Sequence, residues 1–163
     1  MVKKIWLLLI AVMALNGCTR DDICSETTPT TPLLIITFKD INDPTVSKSA
    51  ENLTIATLDD PAIAVLSSTT TDSISLPLRT TADITEYNFI LDDVDEESAN
   101  PDLVQFSYTR ENIYVNRACA YKVVYNDFDA QVENEGSENW IIDLQTLNTT
   151  IEDVETTHLT IFH

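Results

Sequence analysis

The chain has 163 residues, 27 acidic against 9 basic, and a formal net charge of −18. That length predicts one domain. Two glycines and six prolines exclude collagen-like and low-complexity chains, while an apolar content of 44% is enough for a core. The acidic balance excludes nucleic acid as a partner, since neutralising phosphates needs clustered Lys and Arg, and so few glycines leave no phosphate-cradling loop.

The first segment reads as an export signal. Lys3 and Lys4 precede an apolar run of 11 residues, Ile5 to Leu15. A membrane-crossing helix needs roughly 20 residues, so the run fits the apolar part of a signal peptide. It ends in Leu15-Asn16-Gly17-Cys18. An aliphatic residue three before a cysteine, and a small residue directly before it, resembles the lipobox of bacterial lipoproteins. The resemblance implies cleavage before Cys18, acylation of Cys18 (palmitate) and a lipid bilayer as the first partner. Asn16 is a less usual occupant of its position. Removing Lys3 and Lys4 leaves 7 basic against 27 acidic residues, about −20. More than one acyl chain on Cys18 holds a protein stably where a single chain binds marginally. Outer-membrane localisation is expected. Thr19-Arg20-Asp21-Asp22 resembles the signal that sends Bacteroidota lipoproteins to the outer face, and it equally fits a hydrophilic spacer; the periplasmic and surface faces stay open.

With Cys18 acylated, Cys24 and Cys119 remain. An exported pair usually closes, and this bridge encloses about 95 residues, which chain-entropy reasoning values near 4–5 kcal/mol as an upper figure. A metal site would need more ligands at zinc spacing. A catalytic thiol would need a histidine, and only His158 and His163 exist.

Ser25 to Pro32 is rich in Thr and Pro and reads as an extended tether. From there period-two patterns dominate. Leu33 to Phe38 is near-continuously apolar and predicts a strand buried on both faces. Leu53, Ile55 and Thr57 form one face of the next strand. Ile74, Leu76 and Leu78 follow, then Tyr87, Phe89 and Leu91, then Val104, Phe106 and Tyr108. Arg110-Glu111-Asn112 is expected to turn a hairpin into a strand from Ile113. Cys119, Tyr121, Val123 and Tyr125 are expected to share one face. Trp140 to Leu144 and Leu159 to Phe162 complete the set. The 22 threonines suit pleated surfaces. The expectation is all-β: an antiparallel two-sheet β-sandwich, immunoglobulin-like in architecture. Residues 1–17 form the signal peptide, 18–32 the tether and 33–163 the sandwich.

Four strings carry a family resemblance: Asp21-Asp22-Ile23-Cys24, Thr28-Pro29-Thr30-Thr31-Pro32, Leu76-Pro77-Leu78-Arg79-Thr80-Thr81-Ala82-Asp83 and Asn116-Arg117-Ala118-Cys119-Ala120-Tyr121. They resemble the lipoproteins grouped as domain of unknown function 6452, found in Flavobacteriia and relatives. The resemblance spans essentially the whole mature chain and implies a lipoprotein from that phylum with paired cysteines. It implies no activity. Ala120 stands where the family often has Gly, a departure expected to matter little.

Acidic clusters offer oxygen ligands for Ca²⁺ at Asp93, Asp95 and Glu97, against the plainer reading of a solvated loop running on to Asn100-Pro101-Asp102. A second cluster from Asn126-Asp127-Phe128-Asp129 to Glu138 sits near an EF-hand register, but Val132 takes the place where the turn needs Gly. No cofactor is expected. Nucleophile-elbow, zinc-protease and Walker motifs are absent from the sequence; carboxylate pairs are uninformative in so acidic a chain. His158 and His163 read as sheet-face or terminal residues. Asp72-Ser73-Ile74 matches the short O-glycosylation pattern of Bacteroidota at Ser73. The leading expectation is a non-enzymatic envelope lipoprotein that contacts another envelope protein. The alternatives are a carbohydrate-binding or hydrolase domain, with Tyr108, Tyr114 and Tyr125 as an exposed platform, or a subunit of a surface assembly.

Overall fold

A computed structural model describes residues 23–94 and 98–163. Nine strands follow in chain order: β1 (Leu34–Lys39), β2 (Ala50–Thr57), β3 (Ala64–Thr71), β4 (Ser73–Leu76), β5 (Ile84–Leu91), β6 (Asn100–Asn116), β7 (Ala120–Val132), β8 (Asp143–Thr146) and β9 (Leu159–Phe162). The described residues hold no α-helix, only a 3₁₀ turn at Gly136–Glu138. The strands form a four-stranded sheet, β4-β1-β9-β8, and a five-stranded sheet, β3-β2-β5-β6-β7. The all-β, two-sheet expectation therefore holds. Pure antiparallel pairing does not: β1 runs parallel to β9, with Ile36 opposite Leu159 and Phe38 opposite Ile161. Parallel neighbours need a long crossover, and here the whole chain from β2 to β8 supplies it.

Alternation builds the core. Leu34, Ile36 and Phe38 of β1, Ile74 and Leu76 of β4, and Leu159 and Ile161 of β9 point inward from one sheet. Leu53 and Ile55, Tyr87 and Phe89, Val104, Phe106 and Tyr108, and Val123, Tyr125 and Phe128 meet them from the other. At roughly 1.5–3 kcal/mol for each large apolar side chain, this shared cluster dominates the fold's stability. Phe106 is its hub, ringed by Tyr87, Phe89 and Phe128.

Several local expectations are corrected. β1 is buried on one face only, since Ile35, Thr37 and Lys39 stay half-exposed; an apolar run does not itself supply a second covering layer. β2 is the strand buried on both faces from Leu53 to Ala56. The Thr54 hydroxyl there accepts the Ser68 N–H of β3 at 2.9 Å, at an irregularity where Ser68 takes φ 34°. β3 itself is mostly exposed and carries no apolar alternation. No turn forms at Arg110-Glu111-Asn112, because β6 runs unbroken to Asn116. Arg110 instead holds the Asp83 carboxylate at 2.6 Å and the Thr80 carbonyl at 2.9 Å. The EF-hand reading fails because Asn126 to Val132 lie within β7, with Phe128 in the core. Asp127, at φ 54°, shifts the alternation so that Tyr125 and Phe128 face the same way.

The described residues cluster into two compact units. One comprises 30–113 and 123–163 and contains both sheets' core; the other joins 23–29 to 114–122.

Candidate functional site

The smaller unit is built on a disulfide. Cys24 and Cys119 are joined, with Cα atoms 5.0 Å apart. Cys119 lies in the β6–β7 turn, which the sequence dictates through Asn116: its side-chain oxygen accepts the N–H groups of Ala118 and Cys119 at 2.9 and 2.8 Å. Ala120 closes the turn in the left-handed region, φ 58°. The strand ends flanking the turn carry Tyr114 and Tyr121, 58% and 63% exposed, packed edge to face at 5.4 Å between centroids. A cleft of about 460 Å³ beside them is lined by Ile23, Ser25, Thr28, Tyr114, Asn116 and Arg117, among others.

The other tyrosines do structural work in the larger unit. Tyr87, Tyr125 and Tyr108 donate their hydroxyls to three successive carbonyls, those of Pro77, Leu78 and Arg79, at 2.7, 3.1 and 3.0 Å. The Arg79 N–H donates to Thr85, whose hydroxyl also meets that of Tyr108. Burial raises all three phenols, Tyr125 to about 12, so they remain protonated donors. The string Leu76 to Asp83 is thus a backbone seat for tyrosine hydroxyls. The expected platform of Tyr108, Tyr114 and Tyr125 is not assembled: Tyr108 and Tyr125 are buried and only Tyr114 is exposed. Its outward neighbour is Tyr121, which strand alternation had assigned inward. In the sequence the two tyrosines flank an Asn-Arg-Ala-Cys turn, but period-two alternation does not mark where the core ends and so does not set their exposure.

Two further places combine burial with titratable groups. Asp102, fully buried in β6, accepts the Ile141 N–H through Oδ2 at 2.8 Å, while Oδ1 has no hydrogen-bond partner. Burial raises its pKa. This anchors the segment whose Trp140 indole donates to the Phe89 carbonyl at 3.0 Å. His158, just before β9, and His163, just after it, are both buried. His158 Nδ1 accepts the Ile35 N–H at 3.0 Å, which places its proton on Nε2. His163 packs edge-on against Phe38 and Trp140. Burial lowers both histidine pKa values.

Of the proposed calcium ligands, Asp95 and Glu97 lie outside the described residues. Asp93 is half-exposed and its N–H donates to the Asn52 carbonyl. Among the described residues no group of three His, Cys, Asp or Glu side chains is placed to hold a metal, and no helix is long and apolar enough to cross a membrane. Ser73 is exposed at the start of β4. Cys18 and the apolar run before it lie outside the described residues. β3 forms one edge of the five-stranded sheet and β4 one edge of the other. Between them lies a groove of about 250 Å³, lined by Val65, Leu66, Thr69, Ile74, Ser75 and Leu76, among others.

No curated protein and no solved structure matches the chain. A family pattern does match, over residues 52–163; it takes in the tyrosine seat and the Asn116 turn, while Cys24, the tether and β1 lie before it. The chain belongs to the family of unknown function DUF6452.

Proposed function

We propose that the chain is an exported, lipid-anchored protein of the outer membrane, from a bacterium of the Bacteroidota, whose sandwich is a non-enzymatic binding module for another envelope protein. The lipobox-like Leu15-Asn16-Gly17-Cys18 supports the anchor. The Cys24–Cys119 disulfide supports the compartment, because such bonds persist where the surroundings are oxidising. The observation that carries the binding role is the open side at β3 and β4. An eight-residue edge strand, exposed on most of both faces, adjoins a groove floored by Leu66, Ile74 and Leu76. Exposed edges offer unpaired backbone groups to an incoming strand, and the groove offers places for its alternate side chains. The same edge supports the second reading, a subunit of a surface assembly. The immunoglobulin-like comparison is one of layers: two sheets share one core, while the order β3-β2-β5-β6-β7 differs from the immunoglobulin arrangement.

The test has two arms. Labelled palmitate is expected to enter the wild-type chain and not Cys18→Ala; equal labelling removes the anchor. A photo-crosslinker at Ser67, exposed in β3, is expected to give one discrete adduct with an envelope protein in intact cells. Diffuse adducts, matching those from a linker at exposed Glu152, remove the binding role. Protease treatment of intact cells then distinguishes the two faces of the membrane.

A further inference from the structure

We infer that the Tyr114–Tyr121 end of the β6–β7 hairpin rests on the lipid surface that holds Cys18, as a second point of membrane contact. The inference rests on the lipid-anchor reading above and adds to it a docking surface with a stated occupant.

Covalent geometry comes first. The disulfide fixes Cys119, in the hairpin turn, to Cys24. Cys24 lies six residues after Cys18, and six extended residues span at most about 20 Å. The bridge adds 5.0 Å between Cα atoms, so an acyl group on Cys18 keeps Cys119 within about 25 Å of the headgroups, in whatever conformation the link adopts.

What the turn presents suits that place. Tyr114 and Tyr121 expose their rings as a contacting pair, and Ile23, 84% exposed, lines the same cleft as Tyr114. Tyrosine favours the boundary between water and hydrocarbon, where its ring is apolar and its hydroxyl wet. The charge also segregates. Residues 114–122 contain Arg117 and Lys122 and no acid, in a chain with 27 acidic residues. Basic residues beside an aromatic pair are attracted to anionic headgroups; most of the chain's acids lie in the larger unit and are repelled from them, while Asp21, Asp22 and Glu26 beside the link oppose part of that attraction. Acyl chains and a basic aromatic patch together form the two-signal anchor that gives durable attachment and also a fixed orientation.

The experiment uses the tyrosines themselves. The chain has five, and Tyr87, Tyr108 and Tyr125 are buried internal controls. The acylated chain in vesicles of phosphatidylethanolamine and phosphatidylglycerol is iodinated with lactoperoxidase, which does not cross bilayers, beside the unacylated chain starting at Thr19 with the same vesicles. Mass spectrometry reads each tyrosine. Tyr114 and Tyr121 are expected to label about fivefold less in the acylated chain, and the double variant Arg117→Glu with Lys122→Glu to restore labelling. Equal labelling on a chain shown to be acylated overturns the inference alone. Protection that survives the charge reversal also overturns it, by reducing the effect to shadowing near a surface. Protection given only by an added oligosaccharide assigns the pair to carbohydrate and overturns it. A chain with no acyl group at Cys18 overturns the anchor reading, and this inference with it.

Discussion

The β6–β7 hairpin has two halves with opposite physics. From Asp102 to Tyr108 every second side chain of β6 is buried, and Val123, Tyr125 and Phe128 of β7 lie beside them in the same core. From Thr109 to Asn116, and again at Ala120 and Tyr121, the strands continue with almost nothing buried. The first half is held by packing: Phe106 stacks on Phe128 with centroids 5.9 Å apart, and Tyr108 meets Tyr125 at 4.8 Å. The second half is held by a covalent bond, an Asn116 turn and one aromatic pair. A strand can therefore persist where its side chains find no core, provided something else fixes its end. Such an end is free to carry function, because substitutions there cost little packing.

The largest effect should come from removing the bond. In Cys119→Ser the loop of about 95 residues opens, and global stability should fall by about 2–5 kcal/mol, read from denaturant unfolding of the oxidised wild type and the variant. The near-ultraviolet signal of the buried tyrosines should survive in the folded variant, since their donors and carbonyl acceptors all lie in the larger unit. A loss of that signal under native conditions would mean that the two halves are not separately held.

How far this division was legible in the sequence follows the same line. Ile74, Leu76 and Leu78, Tyr87 and Phe89, and Val104, Phe106 and Tyr108 were readable because a period of two marks a half-buried strand. β3 was not, since Ser67 to Thr71 are all Ser or Thr, without apolar alternation. The hairpin turn was misplaced onto Arg110-Glu111-Asn112 because Asn112 and Asn116 look alike to a residue preference. Only the fold shows that Asn116 has the two N–H groups to accept and that Arg110 is held by Asp83. Tyr121 was assigned inward because alternation gives a face and not a depth. The cysteine pairing was legible from arithmetic and compartment; the outward tyrosine pair was not, because it depends on where the core ends.

The packed half of the comparison can be probed by pH. His158 bridges to β1 by accepting the Ile35 N–H, and burial holds its pKa below the ordinary value, with Asp153 opposing weakly. A depressed folded-state pKa contributes stability that is present above the unfolded value near 6.5 and lost as pH falls through the folded one. His163 acts in the same direction, against the carbonyl of Lys48 and the rings of Phe38 and Trp140. Melting temperature should therefore fall between pH 7 and pH 5. Asp102, whose pKa is raised, cannot cause this loss, because protonating it favours the folded state. His158→Leu leaves the Ile35 N–H without its acceptor and should cost about 1–3 kcal/mol at pH 7, while flattening the acid slope. An unchanged slope in that variant would assign the acid sensitivity to His163.

The smallest effect sharpens the unpacked half. Ala120 takes a φ of 58°, in the left-handed region that favours glycine. A Cβ in the left-handed region crowds the following carbonyl at a cost of about 1–2 kcal/mol, which glycine escapes. Glycine's greater freedom in the unfolded chain offsets part of that gain. Ala120→Gly should thus stabilise the chain by up to about 1 kcal/mol, measured by denaturant unfolding with the disulfide intact. In the Cys119→Ser background the gain should shrink, because the turn is then free to relax the strain by opening away from residue 24. An equal gain in both backgrounds would show that Asn116 alone holds the turn in its left-handed shape. The disulfide would then act only by tying that ready-made turn to the chain just after Cys18.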